Sequence, residues 1–102
     1  MRQIIFMLIL LATTLPSCKE IVTSCIEVKQ KPTDIRVGVP IDISGLCSQH
    51  AESYQWLVAD TYSYTGGTIQ HTFDVAGTQD VILTINGQGE VVSRKIRLIV
   101  LP

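Results

Sequence analysis

The chain has 102 residues, with eight Lys and Arg against nine Asp and Glu, which gives a formal net charge of −1 at pH 7. This length provides one small domain and leaves no room for a second. The one basic cluster is short (Arg94, Lys95 and Arg97) and falls on a predicted strand. Composition and charge therefore predict no nucleic-acid partner.

The first residues have the organisation of a secretory signal peptide. Arg2 supplies a positive charge, and an uncharged apolar stretch follows at residues 4–11. A segment that spans a bilayer needs about 20 apolar residues, so this stretch is too short to serve as a retained anchor. We expect it to be removed.

The leader ends in the run Leu-Pro-Ser-Cys, from Leu15 to Cys18. This run resembles the lipobox of bacterial lipoproteins, with Pro16 where that family usually has Ala or Ser. The resemblance implies a signal peptide over residues 1–17 and a covalent lipid on Cys18, which becomes the new N-terminus. The alternative is ordinary signal cleavage that leaves Cys18 as a thiol.

The residue after the lipobox bears on the location of the protein. Lys19 follows Cys18, where lipoproteins kept at the inner membrane tend to have Asp. The lipoprotein resemblance therefore implies the bacterial cell envelope and, within it, the outer membrane, with the lipid anchor as the contact to the bilayer. Whether the domain lies on the periplasmic or the surface face is left open.

Two further cysteines, Cys25 and Cys47, are predicted to form a disulfide, because an exported protein meets an oxidising compartment. Their positions sum to 72, so a chain that folds back near Arg36 brings them opposite each other on adjacent antiparallel strands. The alternative is two small buried thiols. The predicted organisation is a lipid anchor and short linker over residues 18–25 and a β-sandwich domain over residues 26–102.

The first half of this domain shows the alternation of apolar and polar residues that is typical of strands. We predict strands at residues 25–29, 37–46 and 54–58. Pro40 lies inside the second and indicates an edge strand or a bulge, because proline cannot donate to a sheet ladder. Residues 60–67 are predicted to form a polar, aromatic loop.

The second half predicts strands at residues 68–73, 79–85 and 91–101, with the pair Asn86-Gly87 as the signal for a hairpin turn. No segment sustains a helical period. About seven short strands separated by turns predict an all-β fold, a small antiparallel sandwich of two sheets. The apolar residues and one histidine that share a face of their strand are Ile26, Val28, Val37, Val39, Ile41, Ile43, Tyr54, Trp56, Val58, Ile69, His71, Phe73, Val81, Leu83, Ile85, Ile96, Leu98 and Val100.

Residues 70–86 read Gln-His-Thr-Phe-Asp-Val-Ala-Gly-Thr-Gln-Asp-Val-Ile-Leu-Thr-Ile-Asn. They resemble the signature of PKD domains, in which His, any residue and an aromatic precede Ala-Gly-Thr-Tyr-x-Val-x-Leu-x-Val. Upstream, Tyr54 stands two residues before the strand residue Trp56, as in that family. Gln79 replaces the usual Tyr, and the family's Asp-Phe-Gly-Asp-Gly is missing. The resemblance covers about residues 26–101 and implies a divergent PKD-like or other immunoglobulin-like domain.

The side chains that could carry chemistry are His50, His71, Asp60, Asp74 and Asp80. Their spacing fits neither a zinc site nor a calcium loop, and no Gly-x-Ser-x-Gly elbow is present. We therefore expect no catalytic residue, no metal and no cofactor other than the lipid on Cys18. His71 is interpreted as a packed, hydrogen-bonded histidine.

Tyr62 and Tyr64 are the candidate binding residues, because their spacing presents both rings to one side of an extended chain. Aromatic rings beside hydroxyl groups suit contact with a sugar or a protein. The alternative is a hairpin tip whose tyrosines pack on the domain itself.

The leading functional hypothesis is a non-enzymatic lipoprotein whose sandwich binds another protein in an envelope assembly, for instance as a secretion-system subunit. The first alternative is a surface lipoprotein that binds glycans. The second is a periplasmic inhibitor or immunity protein.

Overall fold

The structure is a computed structural model that describes residues 21–102. The predicted signal peptide and Cys18 lie outside the described residues. The described chain contains one turn of 3-10 helix at Pro32–Asp34 and seven strands. The strands are β1 (Glu27–Val28), β2 (Pro40–Ser44), β3 (Ser53–Val58), β4 (Tyr62–Thr65), β5 (Thr68–Thr72), β6 (Gly77–Gly87) and β7 (Glu90–Val100).

The strands form two antiparallel sheets that face each other. One sheet has the order β1-β2-β5, and the other has the order β4-β3-β6-β7. The chain changes sheet between β2 and β3, between β4 and β5, and between β5 and β6. The predicted all-β fold, a small sandwich of two antiparallel sheets, is confirmed.

The core lies between the sheets and is built by the alternation of each strand. Twelve hydrophobic residues of the described chain are buried, and the centre of the core is formed by Ile41, Ile43, Val58, Val81, Leu83 and Ile85, all with no exposed surface. The predicted inward faces of β2, β3, β5 and β6 are therefore confirmed. Val39 is an exception at 39% exposed. It precedes β2 in a turn closed by its N–H donating to the Arg36 carbonyl, so the alternation does not extend to it.

Pro40 does not mark an edge strand, and that prediction was wrong. β2 lies at the centre of its sheet, between β1 and β5. Pro40 is the first residue of the strand and pairs with Thr72 of β5, whereas β1 pairs only with Ile43 and Ser44 at the far end. A proline at the first position leaves the rest of the ladder intact.

The hairpin turn between β6 and β7 also differs from the prediction. Gly87 belongs to β6 and pairs with Glu90, so the two turn residues are Gln88 and Gly89. Both have positive φ, +52° and +76°, as a type I′ turn requires. Gly87 is needed for a different reason, since a β-carbon there would collide with the backbone carbonyl of His50.

The predicted loop over residues 60–67 contains a strand. Ala59 and Asp60 have positive φ and form a tight turn directly after β3. The chain then returns as β4, where Tyr62 pairs with Val58 and Tyr64 with Trp56. The reversal is earlier than predicted because these two non-glycine residues adopt the left-handed conformation, which residue type alone signals poorly.

The disulfide between Cys25 and Cys47 is confirmed, with the two α-carbons 5.4 Å apart. Thr23 pairs with Gln49 in the same register as the two cysteines, and these position numbers sum to 72. Beyond the disulfide, Glu27 pairs with Ser44, and that sum is 71. One extra residue therefore lies between Ser44 and Cys47, which shifts the predicted register of β1 and β2 by one.

The packed domain begins before residue 26. Val22 is only 5% exposed, and the Ser24 hydroxyl donates to the carbonyl of Leu83 in β6. Residues 22–25, assigned from sequence to the linker, thus belong to the sandwich. If Cys18 is the anchor, only residues 19–21 remain for a linker, and three extended residues span about 10 Å.

The two ends of the described chain lie at opposite poles of the sandwich. Thr23 pairs with Gln49 in the connection between β2 and β3, which also contacts the β6–β7 turn. We call this end the N-terminal pole. Leu101 pairs with Arg36 at the other end of the long β6–β7 hairpin. We call that end the C-terminal pole.

We predict that replacing both Cys25 and Cys47 with Ser lowers the free energy of unfolding by about 3 kcal/mol, because the bridge closes a loop between residues 22 positions apart. Urea denaturation of the two proteins under oxidising conditions measures the difference. Reductant should destabilise the wild type by a similar amount and leave the double variant unchanged. Equal stability of the oxidised wild type and the double variant would contradict this account of the disulfide.

Candidate functional site

Tyr62 and Tyr64 lie on β4, an edge strand, and face the space between the sheets. Their strand partners Val58 and Trp56 are core residues, which fixes this orientation. Both tyrosine rings contact His71 of β5 in the opposite sheet. The tyrosines thus pack on the domain, as the alternative interpretation expected, although 41% of Tyr62 remains exposed.

His71 is the centre of this aromatic cluster and is only 4% exposed. Its Nδ1 atom is 2.6 Å from the Tyr64 hydroxyl oxygen. The ring centroids of Tyr62 and Phe73 lie 4.8 and 4.6 Å from the centroid of the imidazole. The interpretation of His71 as a packed and hydrogen-bonded histidine is confirmed.

The other ring nitrogen of His71 has no partner. Within residues 21–102, Nε2 of His71 is the one buried side-chain nitrogen or oxygen that makes no hydrogen bond. If Tyr64 donates to Nδ1, then Nε2 carries an unpaired N–H; if Nδ1 donates to Tyr64, then Nε2 has an unpaired lone pair. A buried polar atom without a partner costs about 1–3 kcal/mol, so either tautomer leaves a polar group at His71 whose pairing would stabilise the domain.

Burial keeps the imidazole neutral. Loss of solvation lowers the pKa of His71 below its ordinary value of 6.5, and the negative charge of Asp74 opposes that shift with a smaller effect. A neutral imidazole can donate one hydrogen bond and accept another, but it offers no charge to an anion.

A cleft of about 240 Å³ opens beside this cluster. The hydroxyl of Tyr62 donates to Oδ2 of Asp74 at 3.4 Å, a long hydrogen bond between two residues of the cleft lining. We call it the β4–β5 cleft. Its lining is formed by Ala59, Thr61, Tyr62, His71, Phe73, Asp74, Val75 and Gln79.

The opposite edge of the four-stranded sheet is β7. In the described chain, β6 is the one strand that pairs with this eleven-residue strand. Directly after it, Leu101 donates to the Ile35 carbonyl and accepts from the Val37 N–H, so the segment before β2 covers the other side of the edge just beyond Val100. The other three edge strands have two, four and five residues. Natural sheets avoid long open edges because the unpaired backbone groups recruit further strands.

A second, largely apolar depression runs beside the end of β7 at the C-terminal pole. It measures about 440 Å³, and Ile99 beside it is 66% exposed. We call it the β7 groove. Its lining is formed by Pro32, Thr33, Ile35, Arg97, Leu98, Ile99 and Leu101.

The charge along β7 is positive. Lys95 and Arg97 contact the carboxylate of Asp80 at 3.7 and 3.0 Å. The hydrogen bond from Arg97 lowers the pKa of Asp80, so that carboxylate remains ionised and neutralises one of the two cations. Arg94 is exposed on the same strand and adds a third positive charge.

The other side chains that were considered for chemistry lie in different parts of the described structure. Asp60 lies in the turn before β4, His50 lies at the N-terminal pole, and Asp80 lies on the outer face of β6. Across residues 21–102, no three His, Cys, Asp or Glu side chains are grouped so as to hold a metal ion. In the same range, no helix has the length and apolar character needed to span a membrane.

Neither the β4–β5 cleft nor the β7 groove was predicted from the sequence. Thr61, Asp74 and Gln79 come together from three separate connections and strands, and no spacing along the chain signals this. The β7 groove had a signal, because residues 98–101 are apolar without interruption and therefore place an apolar side chain on both faces of the strand.

A scan against protein-family models matches none, and a comparison with curated proteins finds no significant match.

We predict that His71 titrates below 6.5 and that Asp74→Asn lowers its pKa further, because the variant removes the charge that opposes the effect of burial. Since the folded state prefers the neutral imidazole, its contribution to stability is complete above pH 6.5. That contribution is lost as the pH falls through 6.5 towards the pKa of the folded state. Titration of the His71 ring by NMR measures both proteins. A rise of the pKa in Asp74→Asn would contradict the assigned electrostatics.

Proposed function

We propose that the protein is a non-enzymatic, lipid-anchored lipoprotein of the bacterial outer membrane whose sandwich binds another envelope protein by adding an extended strand of that protein to β7. The open edge of β7 carries the proposal. At about 3.4 Å per residue, its eleven residues present roughly 35 Å of backbone with unpaired groups. Strand addition to such an edge is a recurring mode of peptide recognition.

The β7 groove supplies side-chain specificity for such a strand. Backbone hydrogen bonds alone do not select a sequence, whereas a pocket beside the edge accepts every second side chain of the added strand. The lining by Pro32, Ile35 and Leu101 favours an apolar side chain there. The groove lies at the C-terminal end of the open edge, between β7 and the segment that binds Leu101.

The charge of β7 favours an acidic partner over a second copy of the chain. In an antiparallel pair of two β7 strands centred at Lys95, the two Lys95 side chains would lie opposite each other, and Arg94 and Arg97 of each copy would lie within two positions of the cations of the other. Like charges on neighbouring strands are destabilising. An extended segment that combines apolar residues with Asp or Glu would pair with the same cations favourably.

The proposed anchor suits this arrangement. If Cys18 carries the lipid, the short linker over residues 19–21 holds the N-terminal pole close to the bilayer. The β7 groove at the C-terminal pole then points away from the membrane, towards other components of the envelope. A single small module on a lipid is suited to be a subunit of a larger assembly, such as a secretion system, and this step rests on analogy of architecture.

The domain itself is proposed to be a divergent PKD-like module. The support is the sequence pattern at residues 70–86, together with the positions that this pattern takes in the sandwich. His71 and Phe73 of the pattern lie in the core between the sheets, as do Val81 and Leu83. No chemistry is proposed for these residues beyond packing and binding.

We predict that Ile99→Asp reduces capture of the envelope partner at least tenfold, which corresponds to about 1.4 kcal/mol, because it places a charge beside the apolar groove. Leu46→Asp is the matched control, since Leu46 is 64% exposed but lies in the β2–β3 connection rather than on β7. Crosslinking in native membranes, followed by affinity capture and mass spectrometry, measures both. Equal capture by Ile99→Asp and the wild type would exclude the β7 groove as the contact.

A second pair of variants tests the charge argument in the same capture experiment. Arg94→Glu should weaken the interaction and should make it less sensitive to salt, because an attractive contact is removed. Lys29→Glu changes an exposed cation outside the β7 strand and should have no effect. If Arg94→Glu and Lys29→Glu capture the partner equally well, the charge of β7 does not contribute to selecting the partner.

We also predict that Cys18→Ala transfers the protein from the membrane fraction to the soluble fraction, because the lipid is lost. Intact-mass spectrometry of the wild type should show the acyl chains on an N-terminal Cys18. The double Ser variant of Cys25 and Cys47 is the control and should stay with the membrane. Retention of Cys18→Ala in the membrane fraction would remove the lipid-anchor proposal but would leave the β7 contact open to test.

A further inference from the structure

The β4–β5 cleft lies at the opposite edge of the four-stranded sheet from β7, and the proposed strand addition makes no use of it. His71 is one of its lining residues, and the buried Nε2 of that residue has no partner. A buried histidine nitrogen without a hydrogen bond is costly to maintain, which marks the cleft as a site for a ligand with a hydrogen-bonding group.

We propose that the β4–β5 cleft binds a single neutral sugar ring, with a ring hydroxyl at Nε2 of His71 and an apolar face of the sugar against Tyr62. A hydroxyl group both donates and accepts hydrogen bonds. It therefore satisfies Nε2 in either tautomer of the imidazole, whichever role Tyr64 takes at Nδ1. An ammonium group, a carbonyl or a carboxylate satisfies only one tautomer.

The walls of the cleft match the two kinds of surface on a pyranose. Tyr62 offers a partly exposed aromatic ring for the C–H face of the sugar, and Phe73, Val75 and Ala59 add apolar surface. Asp74, Gln79 and Thr61 are further polar residues of the lining, and their side chains can accept from or donate to other hydroxyls of the sugar. In the unliganded domain Nε2 has almost no accessible surface, so the sugar hydroxyl reaches it only when the Tyr62 ring turns away from the imidazole. The hydrogen bond that holds Tyr62 to Asp74 is long and is readily exchanged for one to the ligand.

Charge and size narrow the class of ligand. Asp74 is the one acidic residue of the cleft lining, which disfavours phosphates and carboxylates, and burial lowers the pKa of the His71 imidazole. An aromatic cage for an alkylammonium group is not formed, because the rings of Tyr62 and His71 lie against each other. The volume of about 240 Å³ is below the range of about 300–1,000 Å³ for drug-sized ligands, which fits one ring at the end of a glycan rather than a longer chain.

Titration of the full-length protein with glucose, galactose and N-acetylglucosamine tests this proposal. The protein is held in micelles of a detergent without a sugar headgroup, and the ¹⁵N chemical shifts of the His71 ring are followed by NMR. We expect a saturable shift of Nε2 with at least one sugar in the millimolar range. Asp74→Asn or Gln79→Ala should weaken binding at least fivefold, whereas Asp34→Asn, which removes an exposed carboxylate outside the cleft, should not.

The absence of a saturable shift with all three sugars would overturn the proposal. Saturation by methylammonium but by no sugar would also overturn it, in favour of a cation site. Capture of the envelope partner is the independent readout. Asp74→Asn should leave that capture unchanged and Ile99→Asp should leave sugar binding unchanged, so that failure of one site is distinguished from failure of the other.

Discussion

Every backbone N–H and C=O group needs a hydrogen-bond partner, and this requirement determines what the sandwich leaves exposed. Two open sheets have four edge strands. The edges at β1, β4 and β5 are two, four and five residues long, so few backbone groups are left without partners there. β7 is paired on one side only along all eleven of its residues. The proposed function follows from that asymmetry, because the domain presents one edge long enough to bind another chain.

The two candidate sites are separated by the strands that carry the core. β3 and β6 lie between β4 and β7, and they supply the buried residues Trp56, Val58, Val81, Leu83 and Ile85. The cleft side is closed by side chains that cross from one sheet to the other, as when Tyr64 contacts His71. The β7 side is instead protected by three cations. One edge therefore suits a small neutral ligand, and the other suits an extended acidic segment.

The buried faces and the disulfide could be predicted from the sequence. Alternation is visible within each strand, and the pairing of the cysteines depends only on where the chain reverses between them. The sequence did not predict the role of a residue whose type is compatible with two structural roles. Gly87 was assigned to a turn because glycine tolerates positive φ, yet it provides room for the carbonyl of His50. Pro40 indicated an edge, yet it only begins a central strand. The cleft was not predictable, since His71, Asp74 and Gln79 meet only through the tertiary fold.

Hydrogen–deuterium exchange of the β7 amides is the most direct test of the central claim, that a strand of another protein pairs with the open edge of β7. In the purified protein, the account predicts that alternate amides of β7 exchange quickly, because only those directed at β6 are paired. In the native membrane assembly, the fast amides should become as slow as their neighbours. Fast exchange that persists in the assembly, or uniform protection in the purified protein, would contradict the account.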